Sequence, residues 1–338
     1  MTQESPKSNS IRWYRSPVQP EELKSLYQRS NFLAACQTLG YLGLVCLTGG
    51  FAIYSSTHWP WYVTVAIVFT HGTFFAFQIN GVHELGHLTV FTSRRVNEFF
   101  MLVLSFLGWM NPYMFFASHQ RHHHATLHPP DDLEVTVPWD FTLKDFLKTG
   151  FVNIRGIIYV LKFNWRVAMG RFEGEWELKL FPPDDLEKRT PSVRWARCLL
   201  IGHGSLLVVS LATHWWMVPV VVSLASQYGS WLFMSCNHTQ HIGLPDNVTD
   251  YRLCCRTFEP NPFVRFLYWH MNYHTEHHMY VGVPCYRLGK LHRLIQADLP
   301  PTPKGIPATW REINAILVKQ RVDPEYRFLP RVPEAAID

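Results

Sequence analysis

Residues 60–87 read PWYVTVAIVFTHGTFFAFQINGVHELGH, an apolar run that ends in two histidines four positions apart. The apolar part, residues 60–80, reaches the roughly 20 residues that a helix needs to cross a bilayer. His83 and His87 are spaced so that both imidazoles lie on one face of a helix. This stretch predicts a membrane helix that presents metal ligands at one surface of the membrane.

Three more apolar segments predict membrane helices, at residues 32–56, 196–213 and 216–236. The connections at 57–59 and 214–215 contain tryptophan but neither Lys nor Arg, whereas basic residues flank the opposite ends of the predicted membrane helices. The positive-inside rule therefore places both termini and the histidine clusters in the cytosol. We expect an all-α, multi-pass integral membrane protein with four transmembrane helices in two hairpins. Interfacial helices and a cytosolic helical cap that carries a dimetal site complete the predicted fold.

Composition narrows the class of protein further. Charged residues make up 17% of the 338 residues, aromatic residues 15%, and the net charge is +5. The charged share lies below the usual value of about 25%, and the basic residues form no run, so we expect no nucleic-acid partner. The seven cysteines form no CxxC pair, which favours a reducing compartment over a disulfide scaffold. The polar N-terminus lacks the apolar core of a cleaved signal peptide.

Residues 97–116 form a fifth apolar block. A single crossing would place the histidines before and after it at opposite faces of the membrane. We therefore predict a re-entrant or interfacial helix broken at residues 108–112, with a fifth span as the alternative. Residues 141–171 mix apolar and basic side chains, which predicts one or two helices in the interface plane. The predicted organisation is a cytosolic segment at 1–30, a membrane-bound catalytic domain at 31–298 and a Pro-rich cytosolic tail at 299–338.

Most of the 18 histidines fall in four clusters, HELGH at 83–87, HQRHH at 119–123, NHTQH at 237–241 and HTEHH at 274–278. In the third cluster His241 competes with His238, and we favour His241. The clusters then supply nine imidazoles, whereas a zinc site takes three or four protein ligands. Imidazole suits iron among other metals, and iron with open positions activates oxygen. A pair of irons is the predicted cofactor.

Neighbouring side chains are candidates to hold the ligands in place. Carboxylates commonly accept the second N–H of a metal-bound imidazole, and the candidates are Glu84, Asp131, Asp132, Glu134 and Glu276. Solvated loop charges are the simpler interpretation for Asp131 to Glu134. His124, His128 and His270 adjoin the clusters and fit a supporting role better than a ligand role.

Two other classes of protein remain open at this point. HELGH alone matches the HExxH motif, in which His83 and His87 would bind one zinc and Glu84 would be the general base of an intramembrane peptidase. That interpretation makes the HTEHH cluster dispensable. The other class is a membrane protein that binds metal or lipid without catalysing a reaction.

The order of the four clusters, with hairpins before the first and third, resembles the integral-membrane fatty-acid desaturase and hydroxylase superfamily over roughly residues 30–295. The resemblance implies that Asn237 approaches one metal through water. It also implies the iron ligands, which are also the catalytic residues: His83, His87, His119, His122, His123, His241, His274, His277 and His278.

The implied activity is an O2-dependent diiron attack on an unactivated C–H bond of a fatty acyl or related lipid chain. Desaturation is the primary interpretation; a hydroxylase or ketolase, or a terminal-alkene-forming fatty-acid decarboxylase, is the alternative. The sequence contains no HPGG haem motif. Electrons are therefore expected from a separate protein of the ferredoxin or cytochrome b5 type, with its reductase.

Overall fold

The computed structural model describes residues 11–137 and 142–333. Parts of the predicted N-terminal segment and tail, and residue 141 of the predicted interfacial region, lie outside these residues, and the three-part division of the chain stays a prediction. The described helices are α1 (Pro20–Leu26), α2 (Asn31–His58), α3 (Trp61–Phe75), α4 (Gln78–Gly86), α5 (Arg94–Leu107), α6 (Pro112–Ala125), α7 (Leu143–Gly150), α8 (Ile154–Ala168), α9 (Gly174–Leu180), α10 (Leu186–Ala212), α11 (Met217–Val221), α12 (Trp231–Asn237), α13 (Tyr251–Cys254), α14 (Pro262–Leu267), α15 (His274–Met279), α16 (Cys285–Ile295) and α17 (Ile306–Val322), with 3-10 turns at Ala225–Gln227 and Gln296–Asp298.

The described residues contain no β-strand, and β pairing is limited to isolated bridges such as that between Tyr14 and Asp250. The all-α prediction is confirmed for this part of the chain. Three stretches are helical, long and apolar enough to cross a membrane: Asn31–His58, Trp61–Gly86 and Leu186–Ala212. The first two form the predicted first hairpin, and the third contains the predicted span at 196–213.

The second of these stretches is interrupted at Ala76 and Phe77, between α3 and α4, shortly before the first histidine cluster. The Tyr41 side chain of α2 is fully buried, and its hydroxyl donates to the carbonyl oxygens of Phe74 and Phe75, each at 3.0 Å. A helix break at membrane depth is tolerated when the protein itself satisfies the released carbonyls. Tyr41 therefore stabilises the break that precedes the histidines of α4.

The predicted fourth span, residues 216–236, differs from the expectation. The structure divides it into α11, a 3-10 turn and α12. Gly229 has φ +72°, which a helix does not accommodate, and the ring of Tyr228 packs against Gly72 of α3. These residues do not form the single membrane helix that the sequence predicts, and the four-span topology is not confirmed.

The break predicted within residues 97–116 is present. Helices α5 and α6 meet at an angle of 110°, and the Asn111 side chain accepts from the Met114 N–H to cap α6. The rings of His83 and His119, on either side of this block, have centroids 4.4 Å apart. A single crossing would separate them by about 30 Å of hydrocarbon, so their contact favours a re-entrant or interfacial block over a fifth span.

The segment after residue 141 forms the short helices α7 and α8, in agreement with the predicted pair. Their exposed apolar side chains include Leu143, Ile154 and Trp165, a distribution typical of helices that lie against a membrane surface. In the predicted tail, α17 buries Ile313 and Ile316. Its Glu312 pairs with Arg256 at 3.1 Å, and Arg256 donates to the carbonyls of Thr239 and Ile242, so α17 packs on the part of the chain that holds the third cluster.

We expect Gly72→Ala to destabilise the protein and Gly43→Ala to leave it at least as stable. A Cβ at Gly72 would lie 2.3 Å from the Tyr228 ring, whereas one at Gly43 meets nothing within 4 Å. Overpacking of this kind costs about 1–3 kcal/mol, and both substitutions gain the same helical propensity. Thermal unfolding in detergent measures the difference. Equal melting temperatures for the two variants would show that Tyr228 is free to move away.

Candidate metal centre

The nine predicted imidazoles converge in two adjacent groups. His83, His87, His119, His123 and His277 form the first group, and His122, His241, His274 and His278 form the second. Within each group the candidate ligand atoms all lie within 4.8 Å of one another. The rings of His123 and His278 have centroids 4.5 Å apart, so the groups are in contact. The structure brings together every histidine that the sequence singled out, and their role as ligands stays a prediction.

Helical spacing explains how the HQRHH and HTEHH clusters each contribute histidines to both groups. On α6, His119 and His123 are one turn apart and share a face, whereas His122 points to the neighbouring face. On α15, His274 and His278 are one turn apart, and His277 points to the other group. Each HxxHH cluster is therefore divided between the two groups.

Three carboxylates, two buried and one half-buried, orient the imidazoles. Glu84 Oε1 lies 2.9 Å from His83 Nδ1, Asp132 Oδ2 lies 2.8 Å from His122 Nδ1, and Glu134 Oε1 lies 2.8 Å from His119 Nδ1. A carboxylate accepts the Nδ1 proton, which leaves Nε2 with a free lone pair for a metal. The interpretation of Asp132 and Glu134 as solvated loop charges is wrong, because Asp132 is fully buried and Glu134 contacts a candidate ligand.

The donor set fits metal ions. His241 donates its Nδ1 proton to the Cys254 carbonyl at 2.7 Å, so its Nε2 lone pair faces His274 Nε2 at 2.9 Å. The Nε2 atoms of His83 and His87 are buried without a hydrogen-bond partner. Buried lone pairs that face one another, and buried nitrogens without a partner, are costly unless a cation lies between them. Each group therefore offers a site for one metal ion.

Burial keeps the candidate ligands of the third and fourth clusters neutral. Burial lowers the pKa of His241 to about 3 and holds the pKa values of His274, His277 and His278 well below their usual range, with neighbouring imidazoles adding to the effect in all four. Neutral imidazole is the form that binds a metal ion. Protons therefore compete weakly for these sites at neutral pH.

A cavity of about 240 Å³ adjoins both groups. His83 and His119 of the first group and His122, His241 and His274 of the second lie along its wall, together with Asn237 and His238. Apolar side chains complete the lining, including Ile79, Phe115 and Met271. A molecule bound in this cavity would therefore contact both imidazole groups and an apolar surface.

The other candidate residues have different surroundings. Asp131 is exposed and pairs with Lys179 at 3.1 Å, and Glu276 binds His292 and Thr257 rather than a ligand. The His124 ring bonds the carbonyl of Gln120 in its own helix. His128 bonds the Thr126 carbonyl, and His270 is outside both groups.

The sequence analysis missed two polar partners of candidate ligands in the second group. These are the Cys254 carbonyl at His241 and the Thr126 hydroxyl, 3.2 Å from His278 Nδ1. A backbone carbonyl carries no signal in the sequence. His292, which the sequence did not single out, bonds the Glu276 carboxylate of the fourth cluster.

Comparison with known proteins can now be set beside this geometry. The sequence model of the fatty acid desaturase family matches residues 57–310, which include all four clusters. The chain belongs to the fatty acid desaturase family. The sn-1 oleoyl-lipid 12-desaturase of Picosynechococcus sp. is 24% identical over 341 aligned positions, which cover 90% of this chain and 89% of the relative. This desaturase-family chain is thus an oxidoreductase of lipid metabolism with helices fit to span a membrane.

Membership also bears on the zinc-peptidase alternative. In this desaturase-family chain HELGH is one part of a larger cluster, and His277 joins His83 and His87 in the first group. Glu84 is fully buried, with Oε1 bonded to His83 and 3.7 Å from His277 Nδ1. A general base must reach the water that it activates, whereas Oε1 of this buried carboxylate is bonded to His83.

Proposed function

We propose that the chain is a membrane desaturase that uses two iron ions, O2 and electrons from a separate protein to introduce a double bond into a lipid-bound or free fatty acyl chain. The observation that carries the proposal is the pair of adjacent imidazole groups beside one cavity. The name of the relative, a lipid 12-desaturase, supports desaturation over hydroxylation or decarboxylation. We further propose that the clusters and both termini face the cytosol, as the basic flanks indicate.

The proposed ligands are the five histidines of the first group for one iron and the four of the second for the other, with Asn237 placed at the cavity to act through water. When bound, the two irons supply the O2 activation that lets an unactivated C–H bond be broken. Glu84, Asp132 and Glu134 fix the tautomers of their imidazoles through Nδ1.

The cavity determines what reacts. Ile79, Phe115 and Met271 give it an apolar wall that accepts methylene groups and excludes water. Because five of the candidate ligand histidines also line the cavity, a chain held there has one short segment next to both groups. Positioning of this kind selects which carbon loses hydrogen.

The overall reaction balances with two external electrons. The acyl chain loses two hydrogen atoms and forms one carbon–carbon double bond. O2 gains four electrons and becomes two molecules of water; two of these electrons come from the substrate and two from the donor. Two protons from solvent complete the balance.

Metal analysis of detergent-purified protein tests the proposal. We expect about two irons per chain, and about one in His277→Ala, because His277 belongs to the first group alone. His124→Ala is the matched control, since its ring is exposed and bonds only its own helix. One zinc per chain that is indifferent to His277→Ala would favour the peptidase and overturn the diiron proposal.

The product separates desaturation from the alternatives. With acyl lipids, O2 and a reductase system, we expect a product that has lost two hydrogens, detected by mass spectrometry. A product that has gained one oxygen would indicate a hydroxylase, and one that has lost its carboxyl group a decarboxylase. A protein with two irons that consumes no O2 with any lipid would be a binding protein only.

A further inference from the structure

An aromatic pair connects the outer surface to the candidate metal centre. Trp13, in the segment before α1, stacks on Tyr251 of α13 with ring centroids 4.2 Å apart and planes 8° from parallel. Its indole N–H donates to the carbonyl of His124 at 3.0 Å, which fixes the ring over the end of α6. Trp13 is partly exposed, whereas Tyr251 is buried. The pair thus begins at the solvent and ends inside the protein.

Tyr251 reaches both imidazole groups. Its hydroxyl donates to the backbone carbonyl of His123, in the first group, at 3.1 Å. Its ring centroid is 5.4 Å from that of His278, in the second group. Two other rings that contact the histidines lead elsewhere, since Phe115 lines the cavity and Phe116 packs against Gly86.

The surface around Trp13 is basic. Arg12 and Arg15 flank it and are exposed, and no acidic residue occurs in residues 11–18. Arg121 and His124 are exposed on α6 three positions apart, which places them on one face. Two partly buried acidic side chains at this edge, Asp250 and Asp298, share Arg252 at 2.9 and 2.7 Å, and the net charge of these three side chains, −1, is smaller than the summed positive charge of Arg12, Arg15 and Arg121. The exposed charge is therefore positive and suits an acidic partner.

We propose that electrons enter the metal centre at this face, from an acidic plant-type [2Fe–2S] ferredoxin that docks over Arg12, Trp13 and Arg15. This inference rests on the proposed function and names the docking surface of its electron donor. Such ferredoxins are one-electron donors with potentials near about −400 mV. Two reduced ferredoxins each lose one electron, and together these supply the two external electrons that the desaturation balance requires.

Binding is the first test. Reduced plant-type ferredoxin is the probe, and biolayer interferometry on the full-length protein in detergent at about 50 mM salt is the measurement. We expect the double variant Arg12→Glu/Arg15→Glu to weaken binding about 10-fold or more, and added salt to weaken wild-type binding. Lys144→Glu/Lys148→Glu is the matched control, because it makes the same charge change on exposed positions of α7.

Electron transfer is the second test. We expect Trp13→Leu to slow the oxidation of bound ferredoxin about 10-fold, measured at saturating ferredoxin so that a change in affinity does not contribute, and Trp13→Phe to restore most of the rate because a stacked ring is kept over Tyr251. Iron content and turnover driven by dithionite with methyl viologen stay at the wild-type level in every variant.

The outcomes separate this inference from the proposed function. Wild-type protein without iron, or without turnover on dithionite and methyl viologen, would overturn the proposed function itself. Wild-type turnover together with ferredoxin binding that is indifferent to Arg12 and Arg15 would overturn the docking surface alone. Binding of cytochrome b5 but not ferredoxin at this surface would overturn the choice of partner.

Discussion

Asp132→Asn is expected to lower turnover about 10- to 100-fold and to weaken metal binding, whereas Asp131→Asn leaves both unchanged. Asp132 is fully buried, and its Oδ2 accepts from His122 Nδ1 at 2.8 Å and from the Leu127 N–H at 2.9 Å. Loss of a carboxylate that orients a metal-bound histidine typically has an effect of this size. The adjacent Asp131 side chain is exposed and pairs with Lys179 of α9.

The two aspartates form a matched pair, because the substitutions are chemically identical and one position apart. Steady-state turnover and iron titration of each variant are the measurements. In Asp132→Asn the new amide oxygen still accepts one hydrogen bond, so a partial loss in that variant and a complete loss in Asp132→Leu would agree with the geometry. Equal activity of the Asp131 and Asp132 variants would contradict the role assigned to Asp132.

The metal-free protein is expected to lose stability steeply as the pH falls below about 6.5, the usual histidine pKa. Burial, with neighbouring imidazoles, lowers the folded-state pKa values of His241, His274, His277 and His278. The unfolded chain therefore binds protons that the folded chain does not, and acid favours unfolding. This destabilisation grows until the pH reaches the folded-state values, about 3 for His241.

The size of the acid effect follows from the number of groups. Each depressed histidine contributes about 1.4 kcal/mol per pH unit, so four give roughly 5 kcal/mol per unit. Typical domains have stabilities of about 5–15 kcal/mol, and a transition within a few pH units is expected. His122 and His292 act oppositely: burial lowers the pKa of each, yet the bond and charge of Asp132 at His122, and of Glu276 at His292, outweigh that effect and raise it.

Tryptophan fluorescence of chelator-treated protein against pH measures this transition. His241→Ala should make it less steep, because one proton-binding difference is removed, and reloading with iron should move the midpoint to lower pH. A metal-free protein that keeps its folded-state fluorescence down to pH 4 would contradict this prediction. It would show that the folded protein binds as many protons as the unfolded chain. Buffer-matched protein held at pH 8 provides the baseline.

Much of the site could be predicted from the sequence because helical spacing is a local property. The spacing within HQRHH and HTEHH fixes which imidazoles share a helix face, and the nine singled-out histidines are those that the structure gathers. Loop conformation is not local in this sense. Asp131 and Asp132 are identical in type, and only the turn that aims one inward and the other outward separates them.

The fold was predicted least well where apolar composition was mistaken for a continuous helix. Residues 216–236 are as apolar as the first hairpin, but composition reports burial in an apolar medium rather than backbone geometry. The fit of Tyr228 against Gly72, and the turn at Gly229, depend on a partner helix distant in the sequence. The break at 108–112 could be predicted because both histidine clusters had to meet.

The division of HTEHH between the two groups has a consequence for the order in which the protein is made. His83, His87, His119 and His123 leave the ribosome early, but the first group still waits for His277, and the second waits for His274 and His278. Neither group is complete until translation has passed residue 278. The last histidine cluster therefore joins helices that have already been synthesised, and its synthesis completes both groups of imidazoles.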